Sequence, residues 1–412
     1  MIYLLFRFEL KVTLILQSLF WTYTIKNILG WNCADIMQTL SKAMSKPHNI
    51  NNKLNLVFEG EIDKYLIKLL MLNNYKNKII SLYLNLYGSE QVLLEPSLTF
   101  DMLETLSIKA RKEAHRGIIE TMLSKHANTL TTFILVDCFE TLDDLTVPSL
   151  PGLKSIKLRY LSNTAAFSLL RACKQSVTSL NIQACGGTPP SNEIPDLSNY
   201  YLPNLRDLKI REGHQYCMYD EDLLDDHNWN FLIHNAKNLE SMSLKGYVKP
   251  GLQIPDLPKL KEFEFGFGRG HLPILEKCKE TLQCLHIGFY NSSDEFFSDL
   301  PKLTTLFLSG SRHRSKFLSS NKESLEFLHI DHIEPGFNLG DSVKLENMKN
   351  VVLNYTYCEC SNDMDQDRVK MQELCSNANV IIVINENRKN KRSYFRKNGF
   401  TADNWNDKMM TV

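Results

Sequence analysis

Neither sign of charge prevails in this chain: 47 Lys and Arg stand against 47 Asp and Glu, and the net charge is zero. That balance excludes a global basic field of the kind that holds nucleic acid or an anionic membrane surface. No nucleic-acid partner is expected, and electrostatic recognition has to come from a local patch. Paired cysteines are missing too. The ten cysteines follow no C-x-x-C spacing, and Cys358-Glu359-Cys360 with Cys375 makes no zinc cluster. They read as reduced and buried, Cys138 and Cys185 among them, which points to an intracellular compartment. Long apolar runs are also lacking. Residues 12–25 are uncharged and mostly apolar, but a membrane span needs about 20 such residues.

Catalytic signatures are absent as well. The chain has no G-x-S-x-G, no Walker loop and no H-E-x-x-H. Gly266-Phe267-Gly268-Arg269-Gly270 lacks the full dinucleotide spacing and reads as a turn. Asp363-Met364-Asp365-Gln366-Asp367 opens like a calcium loop, but Arg368 stands where the glycine belongs and Leu374 where the bidentate Glu belongs. It reads as a solvated acidic turn. The expectation is a protein that is not an enzyme, with no catalytic residue, no metal and no cofactor.

What is present is a period. Leu303-Thr304-Thr305-Leu306-Phe307-Leu308 and Leu325-Glu326-Phe327-Leu328-His329-Ile330 both read L-x-x-L-x-L and start 22 residues apart. Related hexads start at Ile79, Leu103, Leu130, Leu153, Val177, Leu205, Leu239, Leu260, Leu282, Met348 and Ala378, at intervals of 21 to 34 residues. Such spacing is the mark of leucine-rich repeats, each a short strand with a returning segment. A second period overlies the first. Some strands are entered through Leu-Pro phrases, at Leu150-Pro151, Leu202-Pro203, Leu257-Pro258 and Leu300-Pro301. Others follow helix-like phrases, at residues 170–174, 231–236 and 275–279. Proline fixes φ and removes a donor, so the first kind cannot be helical there.

These patterns predict an α/β fold. It is a curved leucine-rich-repeat solenoid, with a parallel sheet on its concave side and alternating helical and extended returns on the convex side. The repeat spans residues 50–385, with a degenerate strand at Leu54-Asn55-Leu56 and helical spacing over residues 62–72. Residues 1–49 form an apolar N-terminal segment or cap. Its residues 12–25 read as a buried capping helix, an imperfect gene start, a signal peptide or anchor, or an amphipathic helix for a partner. Residues 386–412 form a basic tail that includes Arg388-Lys389-Asn390-Lys391-Arg392. It reads as a solvated end, or else as a nuclear-import or phosphate-binding segment.

Side chains alternate along a strand, so the first, fourth and sixth hexad positions point inward and the third and fifth outward. The residue after the hexad also points outward. The outward set begins with cations: Lys157, Arg159, Lys209, Arg211 and Lys245. It then turns acidic at Glu262 and Glu264, and aromatic at His286, Phe307, Phe327 and His329, ending at Asp331. A protein partner on the concave face is expected to bring an acidic or phosphorylated segment to the cations and an apolar anchor to the aromatic end.

The hexads and alternating returns resemble the ribonuclease-inhibitor-like group of leucine-rich-repeat proteins. They are similar to the repeat half of F-box/leucine-rich-repeat substrate receptors. That resemblance implies a non-enzymatic interaction scaffold, acting as a substrate-recognition subunit of a ubiquitin ligase and bound to a ligase adaptor. It also implies a cytoplasmic or nuclear location. An F-box usually opens with a Leu-Pro phrase, and residues 1–45 contain none. The alternative reading is a secreted or membrane-anchored receptor ectodomain, with residues 12–25 as its signal.

Overall fold

The computed structural model describes residues 11–16, 21–26, 54–59, 79–86, 99–110, 115–136, 145–159, 163–183, 200–211, 223–224, 226–245, 247–248, 252–266, 272–288, 299–309, 315–333, 344–355 and 361–384. Two compact units divide the chain, residues 1–205 with 210–219 and residues 206–209 with 220–412.

The first unit holds β1 (Lys11–Leu16), β2 (Trp21–Lys26), β3 (Leu54–Glu59), β4 (Ile79–Asn85), β5 (Thr105–Lys109), α1 (Arg116–His126), β6 (Thr132–Val136), β7 (Ser155–Arg159), α2 (Asn163–Ala172) and β8 (Ser179–Gln183). Strands β3 to β8 pair in sequence order, all parallel. Parallel neighbours need a crossover, which is why a long return separates each strand from the next. The N-terminal stretch corrects the helical reading of residues 12–25. It forms two strands: β1 pairs antiparallel with both β3 and β2. The β-branched and aromatic residues of Lys11–Leu16 and Trp21–Lys26 suit strands better than helix.

The units divide within β9 (Asp207–Arg211). The second holds β10 (Leu223–Leu224), α3 (Asp226–Asn235), β11 (Ser241–Lys245), β12 (Tyr247–Val248), β13 (Glu262–Gly266), α4 (Leu272–Cys278), β14 (Cys284–Ile287), β15 (Thr305–Ser309), α5 (Ser315–Ser320), β16 (Phe327–Ile333), β17 (Asn350–Tyr355), α6 (Ser361–Leu374) and β18 (Asn379–Ile384). Strand β11 is followed across its sheet by β13 and then by β14 to β18, again parallel and in order. The short strands β10 and β12 pair apart from them. Residues 363–367, expected as an acidic turn, lie within α6. There Asp367 is buried and accepts a 2.9 Å bond from the Tyr355 hydroxyl. The helical spacing at residues 62–72 and the basic tail fall outside the described residues.

Burial follows the hexads. In β6, β7, β8 and β15 the second and fourth residues are buried and the others half-buried. Leu303, Leu306 and Leu325 are wholly inaccessible. Each such Leu contributes about 1.5–3 kcal/mol relative to exposure. Gly288 fits a close approach, because a Cβ there would lie 2.7 Å from the Gly266 Cα.

Two local turns precede the strands. In the Leu-Pro phrases the chain closes a four-residue turn: Leu153 N–H donates to the Leu150 carbonyl at 3.2 Å, and Leu205, Leu260 and Leu303 do the same to Leu202, Leu257 and Leu300. Proline suits the second place of such a turn. The helical returns end differently. At or one residue past the end of each of α1 to α6 stands a buried residue: His126, Cys173, Asn235, Cys278, Asn321 or Cys375. Several donate four residues back, Cys173 to Leu169 O at 3.1 Å, Asn235 to Phe231 O at 2.8 Å, Cys278 to Ile274 O at 3.3 Å and Asn321 to Phe317 O at 3.0 Å. Three residues on, a hydroxyl of Thr129, Ser176, Thr281 or Ser324 donates to that slot's own carbonyl. A helix end leaves carbonyls unsatisfied, and these side chains supply the donors.

Asn321 also accepts from the buried Leu300 N–H at 2.8 Å. Asn321→Leu should therefore lower stability by about 1–3 kcal/mol, the cost of stranding a buried backbone donor. Denaturant unfolding of the two proteins measures it; equal midpoints would mean that the bond contributes nothing.

Candidate functional site

The outward positions of each sheet form rows that run across the strands. In the first unit the row at the third hexad position is Ser81, Thr105, Thr132, Ser155 and Ser179 on five neighbouring strands. This hydroxyl ladder was legible in the sequence as Ser or Thr at the same position of successive hexads. Lys157 lies in the next row between Ile134 and Asn181, and Arg159 in the row after that between Val136 and Gln183. Both are half-buried. The Arg159 Nε is inaccessible and has no hydrogen-bond partner among the described residues. Arg211 belongs to the first unit and Lys245 to the second, each at the end of its strand. Their side chains fall outside the described residues.

In the second unit Lys209 is half-buried on β9. A continuous row then runs Ser243, Glu264, His286, Phe307, His329 and Val352. The Ser243 hydroxyl donates to Glu264 Oε2 at 2.7 Å. The His286 and Phe307 rings stack with centroids 3.9 Å apart and planes 17° from parallel. Phe307 is tilted against His329 at 5.4 Å and against Phe327 at 5.6 Å. Phe327 belongs to the row below, with Glu262, Cys284 and Thr305. The aromatic residues named from sequence thus meet in one cluster on three consecutive strands, β14 to β16.

One member departs from expectation. His329 was read as exposed and is only 3% accessible. It lies beside Phe307, its Nε2 is 2.9 Å from Asp331 Oδ1, and Asp331 also accepts from Asn354 Nδ2 at 2.7 Å. His329 therefore supports Asp331 from below rather than presenting a surface. Asn354 belongs to the site through this bond.

Burial, then the Glu262 charge, pushes the Cys284 thiol up to about 12, and burial takes Cys173 and Cys278 to the same value and Cys375 to about 11. Thiols so shifted stay protonated and are weak nucleophiles at neutral pH. All four are free. Among the described residues no group of three His, Cys, Asp or Glu is placed to hold a metal ion, and no helix is long and apolar enough to cross a membrane. No family model and no curated protein matches this chain.

Proposed function

We propose that this chain is a non-enzymatic scaffold of the leucine-rich-repeat kind, holding a protein partner on the outward faces of its sheets. The observation that carries the reading is the pair of recurring turns. Four-residue turns, opening at residues 100, 150, 202, 257, 300 and 345 and carrying Leu-Pro at the middle four, alternate along the chain with the helix-end slots at residues 126, 173, 235, 278, 321 and 375. That supports a two-repeat unit with extended and helical returns, as in the ribonuclease-inhibitor-like group. The outward rows support binding, because they carry half-buried charge and a ring cluster rather than uniform small polar residues. The free thiols support a cytoplasmic or nuclear location over the secreted one. Thiol titration of the denatured native protein separates the two, since disulfides would leave fewer than ten reactive groups.

Affinity purification from the native cell tests the scaffold. A partner should be recovered with the wild-type chain and lost with Phe307→Ala/Phe327→Ala. Recovery of adaptor and cullin subunits would support the substrate-receptor version, which rests on the resemblance alone, and their repeated absence would end it. In the first unit, Lys157→Ala/Arg159→Ala should weaken an acidic or phosphorylated partner. The loss should shrink as salt rises, because exposed charge interactions are screened over about 8 Å at physiological ionic strength. A loss that is the same at all salt concentrations would remove the electrostatic role.

A further inference from the structure

We infer that the outer edge of β18 is a self-pairing surface, where a second copy of this chain adds its own β18 antiparallel and continues the sheet. The inference does not depend on the scaffold reading, since it concerns the end of a sheet and not its outward rows.

Strand β18 is the last of its sheet, and among the described residues no strand pairs with its outer side. Its inner side keeps register with β17 throughout, from Asn350 opposite Asn379 to Tyr355 opposite Ile384, with no bulge. The Asn379 N–H donates to the Lys349 carbonyl at 2.9 Å. Backbone groups alternate in direction along a strand. Residues 379, 381 and 383 therefore turn theirs toward β17, and residues 380, 382 and 384 turn theirs outward. Such a row of backbone donors and acceptors is a template for another strand, and edges are ordinarily blunted by lysine, proline or a bulge. The run Asn-Val-Ile-Ile-Val-Ile has no charge and no proline, and every residue after the Asn is β-branched and apolar. Asn379 is exposed and Val380 and Ile381 are half-buried, so the edge is within reach of solvent at its start.

The occupant follows from self-complementarity. A two-fold axis normal to the sheet at residue 382 keeps each face of the sheet on its own side. It sets 382 against 382, 380 against 384 and 381 against 383 of the other copy. Each of these pairs joins Val or Ile to Val or Ile, a favourable cross-strand combination, and no like charges meet. The pairs at even positions are the ones whose backbone groups face outward, so they exchange roughly six hydrogen bonds across the axis. A charged strand would require a partner of opposite charge, whereas this one is its own complement. The contact is isologous and consumes both edges, so assembly stops at two copies.

Sedimentation equilibrium of the full chain tests the pairing. The wild-type chain should pass from monomer to dimer as its concentration rises through the micromolar range. Ile381→Lys should weaken the dimer about tenfold, and Val383→Glu should do the same. An equimolar mixture of the two variants should recover it, because opposite charges then stand across the axis from each other. Two misfolded chains would not recover on mixing. Hydrogen exchange resolved by residue adds a readout that needs no substitution and decides the matter should a variant not fold. In dilute protein the N–H groups of residues 380, 382 and 384 should exchange fast and those of 381 and 383 slowly. In concentrated protein the first set should become slow as well. A wild-type chain that stays monomeric, or a dimer indifferent to both variants, would overturn the inference. So would slow exchange at 380, 382 and 384 in the monomer, which would mean that the edge is covered within the chain.

Discussion

Leu306→Ala should destabilise the protein by about 2–5 kcal/mol, whereas Phe307→Ala, one residue along the same strand, should cost about 1 kcal/mol. The contrast follows from strand geometry. Leu306 is wholly buried between Leu285 and Leu328 in the register of its sheet. Truncating it leaves a cavity that the close-packed neighbours fill only in part. Phe307 points to the opposite face, where it is half-buried and its loss mainly removes ring contacts. Denaturant titration of the two variants decides the matter. Comparable losses would mean that the two faces have been assigned wrongly, and the ring cluster would then be core.

The second large effect is one of pH. His126 ends α1, is buried, and stacks on Phe100 with ring centroids 5.9 Å apart. Burial, followed by the Lys125 charge, lowers its pKa from 6.5 to about 4, while Asp101 and a bond to the Phe100 backbone oppose the shift in part. Protonation is therefore harder in the folded chain than in the unfolded one. Stability is whole above the unfolded value near 6.5 and is lost as pH falls from there toward 4. The loss is about 2 kcal/mol at pH 5 and about 3 kcal/mol at pH 4. His126→Asn supplies the side chain found in the equivalent slot at Asn235 and Asn321. It should fold as well at pH 7 and lose less stability at pH 5. Unfolding curves of both proteins at the two pH values give the difference. Identical pH dependence would show that His126 is not the group responsible.

Much of the strand framework was legible from the hexads. The inward leucines of β15, the polarity of its outward residues and the aromatic run from His286 to Phe327 all follow from a period of two residues within a period of about 22. The N-terminal strands were not. Residues 12–25 alternate weakly, and an apolar run of that length looks alike as helix or strand until a partner strand is known. The place of His329 was missed for a different reason. Its outward position is set by its own strand, but its burial comes from Phe307 on the neighbouring strand, which local pattern does not report. The helix of Asp363 to Asp367 was hidden by its acidity. Tertiary contacts at Tyr355 and Asp367 outweigh its low apolar content.

The slots at His126, Cys173, Asn235, Cys278, Asn321 and Cys375 carry a further consequence. Imidazole, thiol and carboxamide occupy one place in six segments of one polypeptide, and at Cys173, Asn235, Cys278 and Asn321 the donor reaches a carbonyl four residues back. The specification at that place is a direction and a donor, not a letter of the amino-acid alphabet. A code of this kind is redundant in space and nearly silent in text. Two chains could share every turn of it while agreeing at few positions, so kinship between them would be recorded in angles and intervals long after it had faded from the residues.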